Sequence, residues 1–211
     1  MTRVQPAIFP GPSGRLEGIW KEASGPARGG AVFAHPHPLY GGTMHNRVVF
    51  RAARVLTSAG WSTLRFNFRG VGLSDGRYDA GRGESDDYRA ALDEAQRRGG
   101  TPLLAGGFSF GAAAALRAIQ GDPRVAAYVA VGLPVATESF AATPRPSVPA
   151  LYVVGERDVY GPPDRLADFV SDSGRIAVVP GADHFLDGNL EQLDTAIPEF
   201  LASLPSTAPR R

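Results

Sequence analysis

The pentapeptide Gly107-Phe108-Ser109-Phe110-Gly111 sets a serine hydroxyl between two glycines, the G-x-S-x-G pattern of a nucleophilic serine. In a chain with 26 glycines, roughly 0.2 such matches arise by chance, so the pattern alone decides little. Its setting decides more. The apolar run Pro102–Ala105 leads into it and the alanine-rich stretch Ser109–Gln120 follows, giving the strand–turn–helix order that a strained serine requires. Such a turn lifts the hydroxyl above a sheet, and glycines on either side relieve the crowding. The helix that begins there aims its first N–H groups at a developing oxyanion.

A serine hydroxyl attacks a carbonyl only when a base takes its proton, and the base needs a carboxylate to orient it. Four histidines are available: His35, His37, His45 and His184. Only His184 follows both the serine and a candidate acid, in the order Ser…Asp…His. It stands in Pro180-Gly-Ala-Asp-His-Phe, just past the apolar run Ile176–Val179. Asp158, in Val153-Val-Gly-Glu-Arg-Asp, also stands just past an apolar run and is the expected acid. Asp183 adjoins His184 and points away from it on most turns, while Asp164 and Glu156 are less well placed relative to the strand end. The C-terminal edge of a parallel sheet is where α/β proteins gather their chemistry.

The loop His35-Pro-His-Pro-Leu-Tyr-Gly-Gly follows the run Ala31–Ala34. An oxyanion hole draws one N–H from the residue after the nucleophile, here Phe110, and one from the loop after an early strand. Pro36 and Pro38 have no N–H to give. That leaves the His37 N–H, held between two residues of fixed φ, with Leu39 as second choice. His-x-His also invites a metal, but no Asp/His cluster nearby completes a ligand set, and neither a metal nor another cofactor is expected. Leu39, Tyr40, Phe108, Phe110 and Phe140 are expected to wall the substrate cleft.

These residues need a scaffold, and short apolar runs alternating with helical patterns predict βαβ units on a mostly parallel sheet. Strands are expected at Arg3–Phe9, Leu16–Trp20, Ala31–His35, Trp61–Phe66, Leu103–Gly106, Ala126–Val131, Ala150–Val154 and Ile176–Val179. Helical spacing predicts helices over Asn46–Ala59, Ser85–Arg98, Ser109–Gln120, Asp164–Ser171 and Asn189–Leu204. Pro198 is expected to kink or split the last, and the tail Ser206–Arg211 to fray. The fold class is thus α/β, a doubly wound sheet of about seven or eight strands with helices on both faces. No repeat or linker divides residues 1–211, which read as one domain. The irregular stretch Pro134–Pro149 is too short to build a cap domain with its own core.

Composition narrows the partners. With 22 basic and 21 acidic residues, the net charge of +1 offers no field for nucleic acid. There is no cysteine, which excludes disulfides and thiolate metal sites. No apolar run approaches the roughly 18–20 residues of a membrane span, and the first residues show no secretory pattern. A cytoplasmic enzyme, monomeric or homodimeric, acting on a small-molecule ester is the expectation.

Taken together, His35–Asn46 (HPHPLYGGTMHN), Arg65–Gly76 (RFNFRGVGLSDG), Gly107–Gly111 (GFSFG) and Gly181–Phe185 (GADHF) resemble the motifs of a family of small bacterial α/β-hydrolases without a large lid. They lie in register from about residue 30 to 190 and are far more specific than G-x-S-x-G. The family is similar to dienelactone hydrolases, with serine here in place of their cysteine, so that substrate does not carry over. The resemblance implies a doubly wound sheet, serine hydrolase chemistry and carboxylesterase activity on small esters. Thioesterase, lactonase, amidase and acyltransferase readings use the same machinery. A non-catalytic module of this fold usually lacks a triad member, whereas all three are present. Arg65 and Arg69 could bind an anionic substrate, but the preferred reading has Arg69 holding its loop through backbone carbonyls. Glu84 and Asp87 read as carboxylates at a helix start.

Overall fold

Runs such as Ala31–Phe33 and Leu151–Val153 leave no polar face, so a strand made from them must be covered on both sides. The computed structural model describes residues 3–205. Its strands are β1 (Val4–Gly11), β2 (Gly14–Lys21), β3 (Gly29–Ala34), β4 (Trp61–Phe66), β5 (Leu103–Phe108), β6 (Val125–Val131), β7 (Ala150–Gly155) and β8 (Gly174–Val179). Its helices are α1 (Arg47–Ser58), α2 (Arg82–Gly99), α3 (Phe110–Ala118), α4 (Pro163–Phe169) and α5 (Leu193–Ser203). The eight strands form one sheet in the order β1-β2-β4-β3-β5-β6-β7-β8. From β4 to β8 neighbouring strands run parallel, whereas β1, β2 and the β2–β4 pairing are antiparallel.

Successive side chains of a strand point to opposite faces, and each face has its own core. In β7, Ala150, Tyr152 and Val154 join Tyr88 and Leu92 of α2 and Ala112 and Leu116 of α3 on one face. Leu151 and Val153 join Val48 and Leu56 of α1 and Ile197 and Leu201 of α5 on the other. The sheet is therefore doubly wound, as its sequence pattern predicts. Among the described residues no helix is long and apolar enough to cross a membrane.

Two helices depart most from expectation. The helix expected from Ser85 begins at Arg82, because the fully buried Glu84 carboxylate accepts the Gly81 N–H at 2.7 Å and the Asp79 N–H at 2.8 Å. The last helix is not split at Pro198. A separate 3₁₀ turn occupies Leu190–Gln192, and α5 then runs through the proline to Ser203. Proline forfeits one backbone bond there, and the buried stripe of Leu193, Ile197, Phe200 and Leu201 holds the helix on the sheet. The tail expected to fray, 206–211, lies outside the described residues.

Candidate active site

The C-terminal ends of β3, β5, β7 and β8 bring the chemistry-bearing residues to one edge of the sheet. Ser109 links the end of β5 to the start of α3 with φ 54° and ψ −119°. That is a conformation a non-glycine residue occupies at a cost of about 1–3 kcal/mol. Crowding explains its neighbours. A Cβ on Gly107 would stand 2.5 Å from the Gly111 carbonyl carbon, and one on Gly111 would stand 2.4 Å from the His35 carbonyl oxygen. Only glycine fits two positions before and two after the serine, while the strain itself falls on Ser109.

Across the cleft, Ser109 Oγ lies 2.9 Å from His184 Nε2, and His184 Nδ1 lies 2.8 Å from Asp158 Oδ2. Both partners are buried, at 6% and 2% exposure. The other Asp158 oxygen accepts the backbone N–H groups of Tyr160 at 2.9 Å and Gly161 at 3.0 Å, which fixes the carboxylate's rotation. The His184 ring is fixed by packing, with Tyr160 at 4.7 Å, Phe108 at 5.2 Å and Phe185 at 5.3 Å between ring centres. The other acids are occupied elsewhere. Asp183 accepts the Phe185 and Asp187 N–H groups, Glu156 accepts the Gly181 N–H, and Asp164 lies in the first turn of α4.

The His35–Gly42 loop packs over the start of α3. Among the described residues, neither the His37 N–H nor the Phe110 N–H has a protein acceptor. Phe110 is the first residue of α3, where a helix leaves its N–H groups free and its dipole positive. Leu39, the second choice for a donor, is unsuited: its N–H is taken by the imidazole Nδ1 of His37 at 3.2 Å. The same ring meets the Tyr78 hydroxyl through Nε2 at 3.1 Å, and burial lowers its pKa.

These groups border a cleft of about 460 Å³. Of the residues expected to wall it, Tyr40 and Phe110 do so and three do not. Leu39 is 66% exposed, outside the cleft. Phe108, the last residue of β5, is fully buried and supports His184 from beneath. Phe140 is buried against Phe169. The wall is completed by residues that the sequence reading missed, chiefly Tyr78, Arg117, Tyr160 and Phe185. Tyr160 and Phe185 sit two positions after Asp158 and one after His184, and Arg117 is the one charge in an alanine-rich helix; those were the available signals.

The arginines of the RFNFRG segment depart from expectation: Arg69 holds its loop through a carboxylate and not through backbone carbonyls. Arg69 pairs with the Asp87 carboxylate through Nε at 2.9 Å and a terminal nitrogen at 2.8 Å, and its N–H joins the same carboxylate at 3.0 Å. Arg65 is the one that binds a backbone carbonyl, that of Met44, at 2.8 Å. Neither lines the cleft. Asp87, expected only to complement a helix start, is the buried counter-ion.

No family model matches the chain. It is 37% identical over 213 aligned residues to an uncharacterized protein of Rickettsia prowazekii, covering 94% of this chain and 89% of that one. A solved α/β serine hydrolase homologue from Coxiella burnetii matches with a TM-score of 0.87 at 36% identity, over 95% of this chain and 98% of the other. An α/β serine hydrolase without a lid from Xanthomonas campestris also reaches 0.87, at 29% identity, over 98% and 97% of the two chains.

Proposed function

The chain belongs to the family of α/β serine hydrolase homologues, and we propose that within it this protein is a carboxylesterase working through an acyl-enzyme on small, short-acyl esters. The observation that carries the reading is the unbroken relay from Ser109 through His184 to Asp158, at 2.9 and 2.8 Å, on the wall of a cleft.

In this reading Ser109 Oγ attacks the ester carbonyl while its proton passes to His184 Nε2. Asp158 keeps the other ring nitrogen protonated and stabilises the imidazolium. The carbonyl oxygen gathers negative charge and is met by the Phe110 and His37 N–H groups, preorganised and not spent on other acceptors. His184 then returns the proton to the departing alcohol oxygen. Water repeats the sequence, giving its proton to His184, and releases the acid with Ser109 restored.

Short acyl chains follow from the cleft. An apolar pocket gains about 0.8 kcal/mol per methylene only where that methylene leaves water, and the segment between β6 and β7 contributes one 3₁₀ turn, Glu138–Phe140, to cover it. A series of chromogenic esters from acetate to palmitate, run beside Ser109→Ala, tests this. Turnover by the wild type should peak between acetyl and roughly hexanoyl by that burial argument, and the variant should be inactive. A rate that climbs steadily to palmitate would overturn the short-acyl reading, and an active Ser109→Ala would overturn the nucleophile.

A further inference from the structure

Helix α3 carries Ser109 at its N-cap, and Ala113 and Arg117, four and eight residues on, line the same cleft. Residues four apart share a helix face, and long side chains lean back towards the helix N-terminus. The Arg117 side chain therefore leans towards the Ser109 end of the helix, with its terminal nitrogens at the Ser139 carbonyl and beside Gly81.

Its electrostatic setting differs from that of the paired arginines. Arg69, Arg97 and Arg124 each hold a carboxylate at 2.7–2.8 Å. Among the described residues Arg117 holds none; one terminal nitrogen donates to the Ser139 carbonyl, and its other N–H groups have no protein acceptor. Among the described residues no Asp or Glu lines the cleft, and this guanidinium is the one fixed charge there. Burial without a counter-ion pushes it down from its ordinary value, yet a guanidinium stays protonated. A half-buried cation, anchored on one side and open on the other, is a ready-made seat for an anion. A planar fork bearing one charge matches a carboxylate, whereas a phosphate dianion would be left half compensated.

We propose that the preferred substrates are esters bearing a free carboxylate a few carbons from the scissile carbonyl, such as half-esters of short dicarboxylic acids, with the carboxylate seated on Arg117. The proposal rests on the esterase reading above. Ser109 would attack the ester carbonyl at one end while Arg117 fixes the other, so the anion sets the register of the acyl chain.

The test compares kcat/KM for monomethyl glutarate and methyl valerate, two esters that differ at the far end by a carboxylate in place of a methyl group. Wild type should favour the half-ester by about tenfold or more, the scale of one charge-assisted hydrogen bond, and added salt should shrink that preference. Arg117→Gln should bring the ratio towards one, and Arg117→Lys should restore part of it. Equal rates for the two esters in wild type, or an unchanged ratio in Arg117→Gln, would overturn the proposal and leave the esterase reading standing. No turnover of either ester would overturn both. Should Arg117→Gln not fold, inhibition of wild-type methyl valerate turnover decides: glutaramate should bind at least about tenfold tighter than glutaramide, and equal binding refutes the proposal.

Discussion

His35 and His184 are both buried histidines at the same edge of the sheet, and each is hydrogen-bonded through both ring nitrogens. His35 contacts the Pro36 carbonyl through Nδ1 at 2.6 Å and receives the Phe68 N–H on Nε2 at 3.1 Å. Those partners assign it a neutral ring with the proton on Nδ1, and burial lowers its pKa to about 4. It ties the loop after β3 to the loop after β4 and has nothing to exchange a proton with. His184 has a carboxylate on one side and a hydroxyl on the other, facing a cleft. Arg69 and Arg117 repeat the contrast, one locked to Asp87 and one open. Burial and hydrogen bonding are common to both members of each pair. What separates chemistry from scaffolding is whether a partner can take a proton or be supplied by a ligand.

The strongest way to break the contrast is to make His184 resemble His35. In Asp158→Asn the Tyr160 and Gly161 N–H groups still require an oxygen, so the amide nitrogen must face His184 Nδ1. The ring proton is then forced onto Nε2, which can no longer accept from Ser109. The expected loss is about 10⁴ in kcat, with a melting temperature close to wild type. Activity within tenfold of wild type would show that the carboxylate does not set the tautomer.

His37 lies between the two extremes, its imidazole holding the loop while its N–H faces the reaction. His37→Pro removes that N–H and should cost about 10²–10³ in kcat. His37→Ala keeps it and should cost less, through loss of the Leu39 and Tyr78 contacts. Steady-state rates showing equal damage from the two changes would assign the imidazole a direct role.

The smallest effect concerns His35 and is one of stability. Its folded-state pKa of about 4 lies below the ordinary value of 6.5, so between these values the unfolded chain binds the extra proton. The stability it contributes is present above about pH 6.5 and is lost as pH falls towards 4, amounting to no more than about 3 kcal/mol. Denaturant midpoints should fall across that window, and more shallowly in His35→Gln. Parallel profiles would remove His35 as the cause.

Much of this was legible in the sequence because the central strands are buried on both faces. They announced themselves as apolar runs, whereas β1 and β2 alternate and leave one side exposed, and the strand order put Ser109, Asp158 and His184 just past the ends of β5, β7 and β8. The cleft walls were less legible. Phe108 and Phe110 look equivalent in GFSFG, yet one ends a strand and faces the core beneath His184 while the other opens a helix on the cleft. Tyr78 reaches the site only through the path of the loop before α2, which no local pattern reveals. The partner of Arg69, Asp87, lies 18 residues away on a helix, a pairing that local spacing does not encode.

Labelling with a fluorophosphonate followed by peptide mapping tests most directly whether the strained serine at the start of α3 is the nucleophile. One equivalent of label should appear on the peptide containing Ser109, none on Ser109→Ala, and labelling of Asp158→Asn should be slowed in proportion to its loss of turnover. Ester hydrolysis that survives in Ser109→Ala, or stoichiometric label on any other residue, would contradict that role.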